Sequence, residues 1–133
     1  MPGKAEHTSY QSITPSTTKD GSAIRELMHP EQGAVRNQSL AEAIVAVGQS
    51  TLPHCHHASE EIYHVLAGQG QMQLAERFFM VRPGDTIAIA PGTRHAIRNT
   101  GDVPLRILCC CAPPYRHEDT SLTGEITSPQ TKE

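Results

Sequence analysis

Residues 48–68 read GQSTLPHCHHASEEIYHVLAG, and this stretch decides how the rest of the chain is understood. His54 and His56 flank a single residue, and two carboxylates, Glu60 and Glu61, follow within five positions. Successive strand residues point to opposite faces, so His54 and His56 share one face while Cys55 and His57 take the other. A further histidine, His95, lies downstream in PGTRHAIRN. Three imidazoles and a carboxylate are the ligand types that suit one divalent transition metal, iron, manganese, nickel or zinc. HxH alone is weak evidence for such a site. The argument rests on the HxH pair, the glutamate, the turn glycines and His95 recurring in order within one apparent β domain.

Working outward, the chain shows short apolar runs separated by turn residues. Strands are expected over residues 36–47, 61–66, 71–74, 78–81, 86–90, 95–98 and 105–111, and residues 23–28 form a short ordered segment. Gly68-Gln69-Gly70, Pro83-Gly84-Asp85, Pro91-Gly92 and Asn99-Thr100-Gly101-Asp102 punctuate them. No amphipathic helix of three turns stands out. Strands this short and this evenly spaced indicate a sandwich or small barrel, and closure removes the exposed edges. Residues 1–22 and 120–133 are polar and aperiodic and read as a flexible arm and tail around a domain at 23–119.

Composition excludes several classes. The chain has 133 residues, enough for one domain. Its formal net charge is −3 with 19% charged residues, which argues against nucleic acid as a partner. It carries no apolar run of membrane-spanning length and no secretory leader, so a cytoplasmic protein is expected. Cys109, Cys110 and Cys111 are consecutive, so they fit neither a disulfide framework nor a shared metal, and they read as small core residues.

The residues quoted above resemble the cupin family, in its small single-domain form. The first cupin motif, G-x5-H-x-H-x(3,4)-E-x6-G, is matched by Gly48, His54, His56, Glu61 and Gly68. The second, G-x5-P-x-G-x2-H-x3-N, is matched by Gly84, Gly92, His95 and Asn99, with Ala90 at the proline position and Pro91 after it. The resemblance implies an all-β double-stranded β-helix, a jelly-roll barrel, and a homodimer. It also selects Glu61 over Glu60, which completes a ligand set of His54, His56, Glu61 and His95.

Beyond the ligands, Tyr63 shares the face of Glu61 and is the catalytic candidate; ordinary packing in the barrel is the equal alternative. Arg36 and Gln38 share a face with Glu42 and are substrate-binding candidates, a solvent-facing edge being the competing account. Parity places Cys109 and Cys111 inside the barrel, with Cys110, Arg98 and Arg106 outside. Tyr115 and His117 follow a proline pair and are read as a docked tail, with a lid over the barrel mouth as the other option. The expected function is a metal-dependent enzyme acting on a small oxygen-rich molecule, of dioxygenase type. The alternatives are an isomerase or lyase acting on a sugar phosphate or small carboxylate, and a non-catalytic binding module.

Overall fold

The computed structural model describes residues 4–123. Its strands are β1 (Ser16–Thr17), β2 (Ala23–Met28), β3 (Ser39–Val45), β4 (His54–His56), β5 (Glu60–Ala67), β6 (Gly70–Leu74), β7 (Arg77–Val81), β8 (Thr86–Ile89), β9 (His95–Asn99), β10 (Leu105–Ala112) and β11 (Thr120–Leu122). Two antiparallel sheets pack face to face, ordered β1-β2-β3-β10-β5-β8 and β11-β4-β9-β6-β7. This is the expected all-β jelly-roll barrel. Among the described residues no helix is long and apolar enough to cross a membrane.

Alternation makes the interior. In β10 every second residue is buried, so Leu105, Ile107, Cys109 and Cys111 face inward. Register then carries rows across the six-stranded sheet: Ser39, Cys111, Glu61 and Ile89 form one, and Ala41, Cys109, Tyr63 and Ile87 the next. The apolar core lies behind them, built on Val65, Met72, Ile97, Leu105 and Ile107. With so few aromatics available, aliphatic side chains fill most of the barrel beside Met72, Tyr63 and Cys109, and their burial supplies the main driving force.

Two motif residues act on the backbone rather than on chemistry. Gly68 has φ +86°, and a Cβ there would stand 2.7 Å from the Pro104 carbonyl oxygen, so both conformation and space require glycine. Asn99 is buried; its amide donates to the Val45 and Val103 carbonyls at 3.0 and 2.8 Å and accepts from the Gly101 N–H at 2.8 Å. It ties the end of β9 to both neighbouring segments.

Three expectations need correction. The strand anticipated from residue 36 starts at Ser39, because residues 36 and 37 form a bend. The outer limits of 23 and 119 are too narrow, since β1 and β11 lie outside them and pair with β2 and β4. Glu42, expected to share a substrate-binding face with Arg36 and Gln38, is instead 1% exposed on the outer side of β3, where Arg106 binds its Oε2 through Nε at 3.0 Å and Tyr10 donates to its Oε1. Tyr10 belongs to the segment read as an arm, which lies along the sheet. Residues 124–133, the remainder of the expected tail, lie outside the described residues.

Candidate metal centre

The five-stranded sheet supplies all three imidazoles. His54 and His56 stand on β4, and His95 is the direct cross-strand partner of His54 on β9. Paired residues of adjacent strands present their side chains on the same face, and the His54 and His95 ring centroids are 4.2 Å apart. All three rings are buried, and His54, His56 and His95 offer nitrogen atoms within 4.8 Å of one another. Glu61 faces them from the opposite sheet, its Oε1 at 3.1 Å from His56 Nε2 and 3.4 Å from His95 Nε2.

Hydrogen bonding at the far side of each ring fixes what the near side presents. His54 Nδ1 donates to the Leu52 carbonyl at 2.8 Å, and His95 Nδ1 to the Thr93 carbonyl at 2.9 Å. His56 Nδ1 donates to Thr120 Oγ1 at 2.9 Å, and that hydroxyl donates onward to the Arg116 carbonyl at 3.1 Å. A carbonyl only accepts, so in the neutral ring the proton sits on Nδ1 and Nε2 is a bare lone pair. Each Nε2 then faces a carboxylate oxygen, an arrangement of two acceptors that is repulsive without a cation between them. Glu61 Oε1 and His95 Nε2 are buried without a hydrogen-bond partner. The donor set and these orphaned atoms fit a divalent ion, and outward Nδ1–H bonds are the usual support of metal-binding histidines.

The electrostatics agree. Burial and the neighbouring His95 lower the His54 pKa to about 4, against the opposing pull of Asp20, so the ring is neutral near pH 7. Burial alone would raise the Glu61 carboxyl, but a proton or positive charge placed at the His56 and His95 Nε2 positions outweighs it and holds it at about 2, and between neutral rings a bound cation would take that place. Burial, followed by the nearby Glu61 charge, pushes the Tyr63 phenol well above its ordinary value.

A cavity opens over the cluster. Its walls include Ile24, Ala41, Ala43, Val45, Ile97 and Ile107 on the apolar side. The polar side carries Asp20, Glu26, Glu61, Tyr63, Tyr115 and Thr120, with no lysine or arginine among the described residues. Room for the centres of water-sized molecules is about 40 Å³, space for a few waters.

The anticipated residues divide clearly. The structure brings His54, His56, Glu61 and His95 together, with Tyr63 beside them at 5.8 Å between its ring and that of His95. His57 and His64 turn away and bond Ser121 Oγ at 2.7 Å and Thr86 Oγ1 at 2.8 Å. Arg36 and Gln38 do not reach the cavity; both are exposed before β3 begins, and Gln38 instead accepts from the Cys110 thiol at 3.6 Å. Tyr115 is no mere tail residue, because its ring stands 5.8 Å from His56, edge to face, in the cavity wall. His117 lies in an exposed 3-10 turn (His117–Asp119) away from that wall.

Sequence reasoning missed Asp20, Glu26 and Thr120. Asp20 Oδ2 lies 3.4 Å from His54 Nε2. Glu26 lines the cavity with a buried, unpartnered Oε1, and burial raises its pKa. The polar TTKDGS and EDTSL segments carry no periodicity, so only tertiary placement shows that they meet the histidines.

A family model described as Cupin domain matches residues 41–111. An uncharacterized protein of Methanocaldococcus jannaschii is 57% identical over 86% of this chain and 92% of its own length. A predicted oxalate decarboxylase from Thermotoga maritima shares the fold with a TM-score of 0.70 at 23% identity, over 79% of this chain and 96% of that one. The polyketide cyclase RemF from Streptomyces resistomycificus superposes with a TM-score of 0.73 at 21% identity, over 89% and 84% of the two chains.

Proposed function

Since this chain belongs to the cupin family, we propose that it is a metal-dependent enzyme acting on a small, oxygen-bearing molecule, of the dioxygenase type. One observation carries the reading: the lone pairs of His54, His56 and His95 cluster with the orphaned Glu61 Oε1 beside a cavity that His54, His56 and Glu61 line. A bound divalent ion would supply Lewis acidity toward a substrate oxygen and, if redox-active, a route to dioxygen. His54, His56, Glu61 and His95 would hold it, leaving positions for exogenous ligands on a six-coordinate ion.

The wall narrows the substrate. Among the described residues three carboxylates and no lysine or arginine line the cavity, so a phosphate monoester meets like charge there. A compact molecule with a carbonyl or enol oxygen at one end and an apolar body fits better. The aliphatic face from Ile24 to Ile107 receives the body, and Tyr115 closes the side above His56. The sugar-phosphate alternative loses support on this ground.

A second reading, a lyase or isomerase, draws on Tyr63 and Glu26. The Tyr63 phenol is held protonated, which suits donation to a developing oxyanion rather than base action. Burial raises the pKa of the Glu26 carboxyl, and its Oε1 has no hydrogen-bond partner among the described residues, as a proton carrier requires. Exposed Leu40, Ile62 and Leu66 on the outer face of the six-stranded sheet support the homodimer.

Metal content and oxygen consumption test the two together. Purification without added metal should yield about one redox-active ion per chain, with oxygen uptake on small enol or diketone substrates. Stoichiometric zinc and no oxygen uptake would favour the lyase or isomerase. A metal-free protein that binds no divalent ion overturns both.

A further inference from the structure

The segment preceding β2 places a carboxylate where the barrel strands alone would leave a gap. Asp20 sits in a turn that its own side chain holds. Its Oδ1 accepts from Thr18 Oγ1 at 2.8 Å, from the Ser22 N–H at 2.9 Å and from Ser22 Oγ at 2.7 Å. Three donors leave Oδ1 fully occupied. They aim Oδ2 at His54 Nε2, 3.4 Å away, and among the described residues Oδ2 has no hydrogen-bond donor. The turn is also clamped to both sides of the centre. Leu52 N–H donates to the Asp20 carbonyl at 2.8 Å, and Lys19 Nζ donates to the Thr120 carbonyl at 2.8 Å.

Glu61 and Asp20 divide the three rings between them. Glu61 Oε1 meets the Nε2 atoms of His56 and His95, and Asp20 Oδ2 meets that of His54. Because His54 Nδ1–H is committed to the Leu52 carbonyl, Nε2 has no proton to offer Asp20 in the neutral ring. Two acceptors so placed in a buried site call for a shared cation. We propose that Asp20 is a further carboxylate ligand of the ion held by His54, His56, Glu61 and His95, brought to it by the N-terminal segment. This rests on the metal reading of the preceding subsection. Two carboxylates would neutralise a divalent ion among neutral imidazoles, and the Asp20 position is the one a substrate oxygen would take when that segment shifts. Ion retention and docking of residues 4–22 are then one equilibrium.

The test uses the whole chain loaded with Co(II). Affinity is read by competition with a chromophoric chelator, coordination by the visible d–d bands, and docking by the rate of tryptic cleavage after Lys19. Asp20→Asn keeps the Oδ1 contacts with Thr18 and Ser22, so the turn survives while the charged oxygen is lost. The expected result is at least about a tenfold loss of Co(II) affinity with shifted d–d bands. In the wild-type chain, Co(II) should slow cleavage after Lys19, a measurement that needs no variant. Unchanged affinity and unchanged bands in Asp20→Asn, while His95→Ala loses the ion, overturn the role of Asp20 and leave the centre intact. Equal cleavage rates with and without bound Co(II) overturn it likewise. Failure of the wild-type chain to bind Co(II) overturns the centre itself, and Asp20 with it.

Discussion

Thr120 Oγ1 stands 2.9 Å from His56 Nδ1 and accepts its proton across a separation of 64 residues. The hydroxyl hands its own proton to the Arg116 carbonyl, so toward His56 it can only accept. The tautomer that turns the His56 lone pair toward Glu61 is therefore set by the last described strand.

Thr120→Val removes that acceptor while keeping the shape of the side chain. Metal affinity should fall by roughly tenfold, and Thr120→Ser should restore most of it. Chelator competition measures both. Wild-type affinity in Thr120→Val would show that the hydroxyl is dispensable.

Binding of the ion should stabilise the fold through mass action. At a hundredfold excess over the dissociation constant the gain is about 2.7 kcal/mol, on the order of 10 °C in Tm for a domain of this size. Scanning calorimetry before and after chelation reads it. His95→Ala should abolish the difference, because His95 Nε2 is among the atoms left without a partner.

Asn99→Ala should cost about 2 kcal/mol in urea unfolding, mainly because the buried Val45 carbonyl loses its donor. The cost should be the same in the metal-free protein, since Asn99 pins backbone and touches no ligand atom. A variant with wild-type stability and reduced metal binding would reverse this assignment.

Glu26 gives the pH profile a definite sign. Burial raises its folded pKa, so the native state holds its proton at pH values where the unfolded chain has released it. Its contribution is therefore full below the unfolded carboxyl pKa and is lost as pH rises toward the folded one. Glu26→Gln removes the loss. The stability of the variant relative to wild type should increase as pH rises through the window above the ordinary glutamate value, as followed by thermal melts of metal-free protein.

Much of the barrel was legible because alternation and turn chemistry are local. Parity placed Cys109 and Cys111 inside and Cys110 outside, and the cross-sheet rows agree. The HxH pair and His95 were legible from the sequence too, and the cupin resemblance selected Glu61 over Glu60. Arg36 and Gln38 were misplaced because strand parity was extended beyond the point where the strand begins, and a bend erases it. Asp20, Glu26 and Thr120 were invisible for another reason. Two sit in polar segments without periodicity and one on a short strand, and each matters only through a partner remote in sequence.

The clamp formed by Lys19, Asp20 and Thr120 also bears on when the proposed centre is complete. Residues 20, 54 and 120 must all be in place, and such long-range closures are the slow part of assembling a β topology. Partly folded chains present the HxH pair on an unsupported strand, with neither Thr120 to set the tautomer nor Asp20 opposite His54. On the proposed assignment, a complete ligand set would exist only once these long-range contacts have closed, so ion binding would report completed folding.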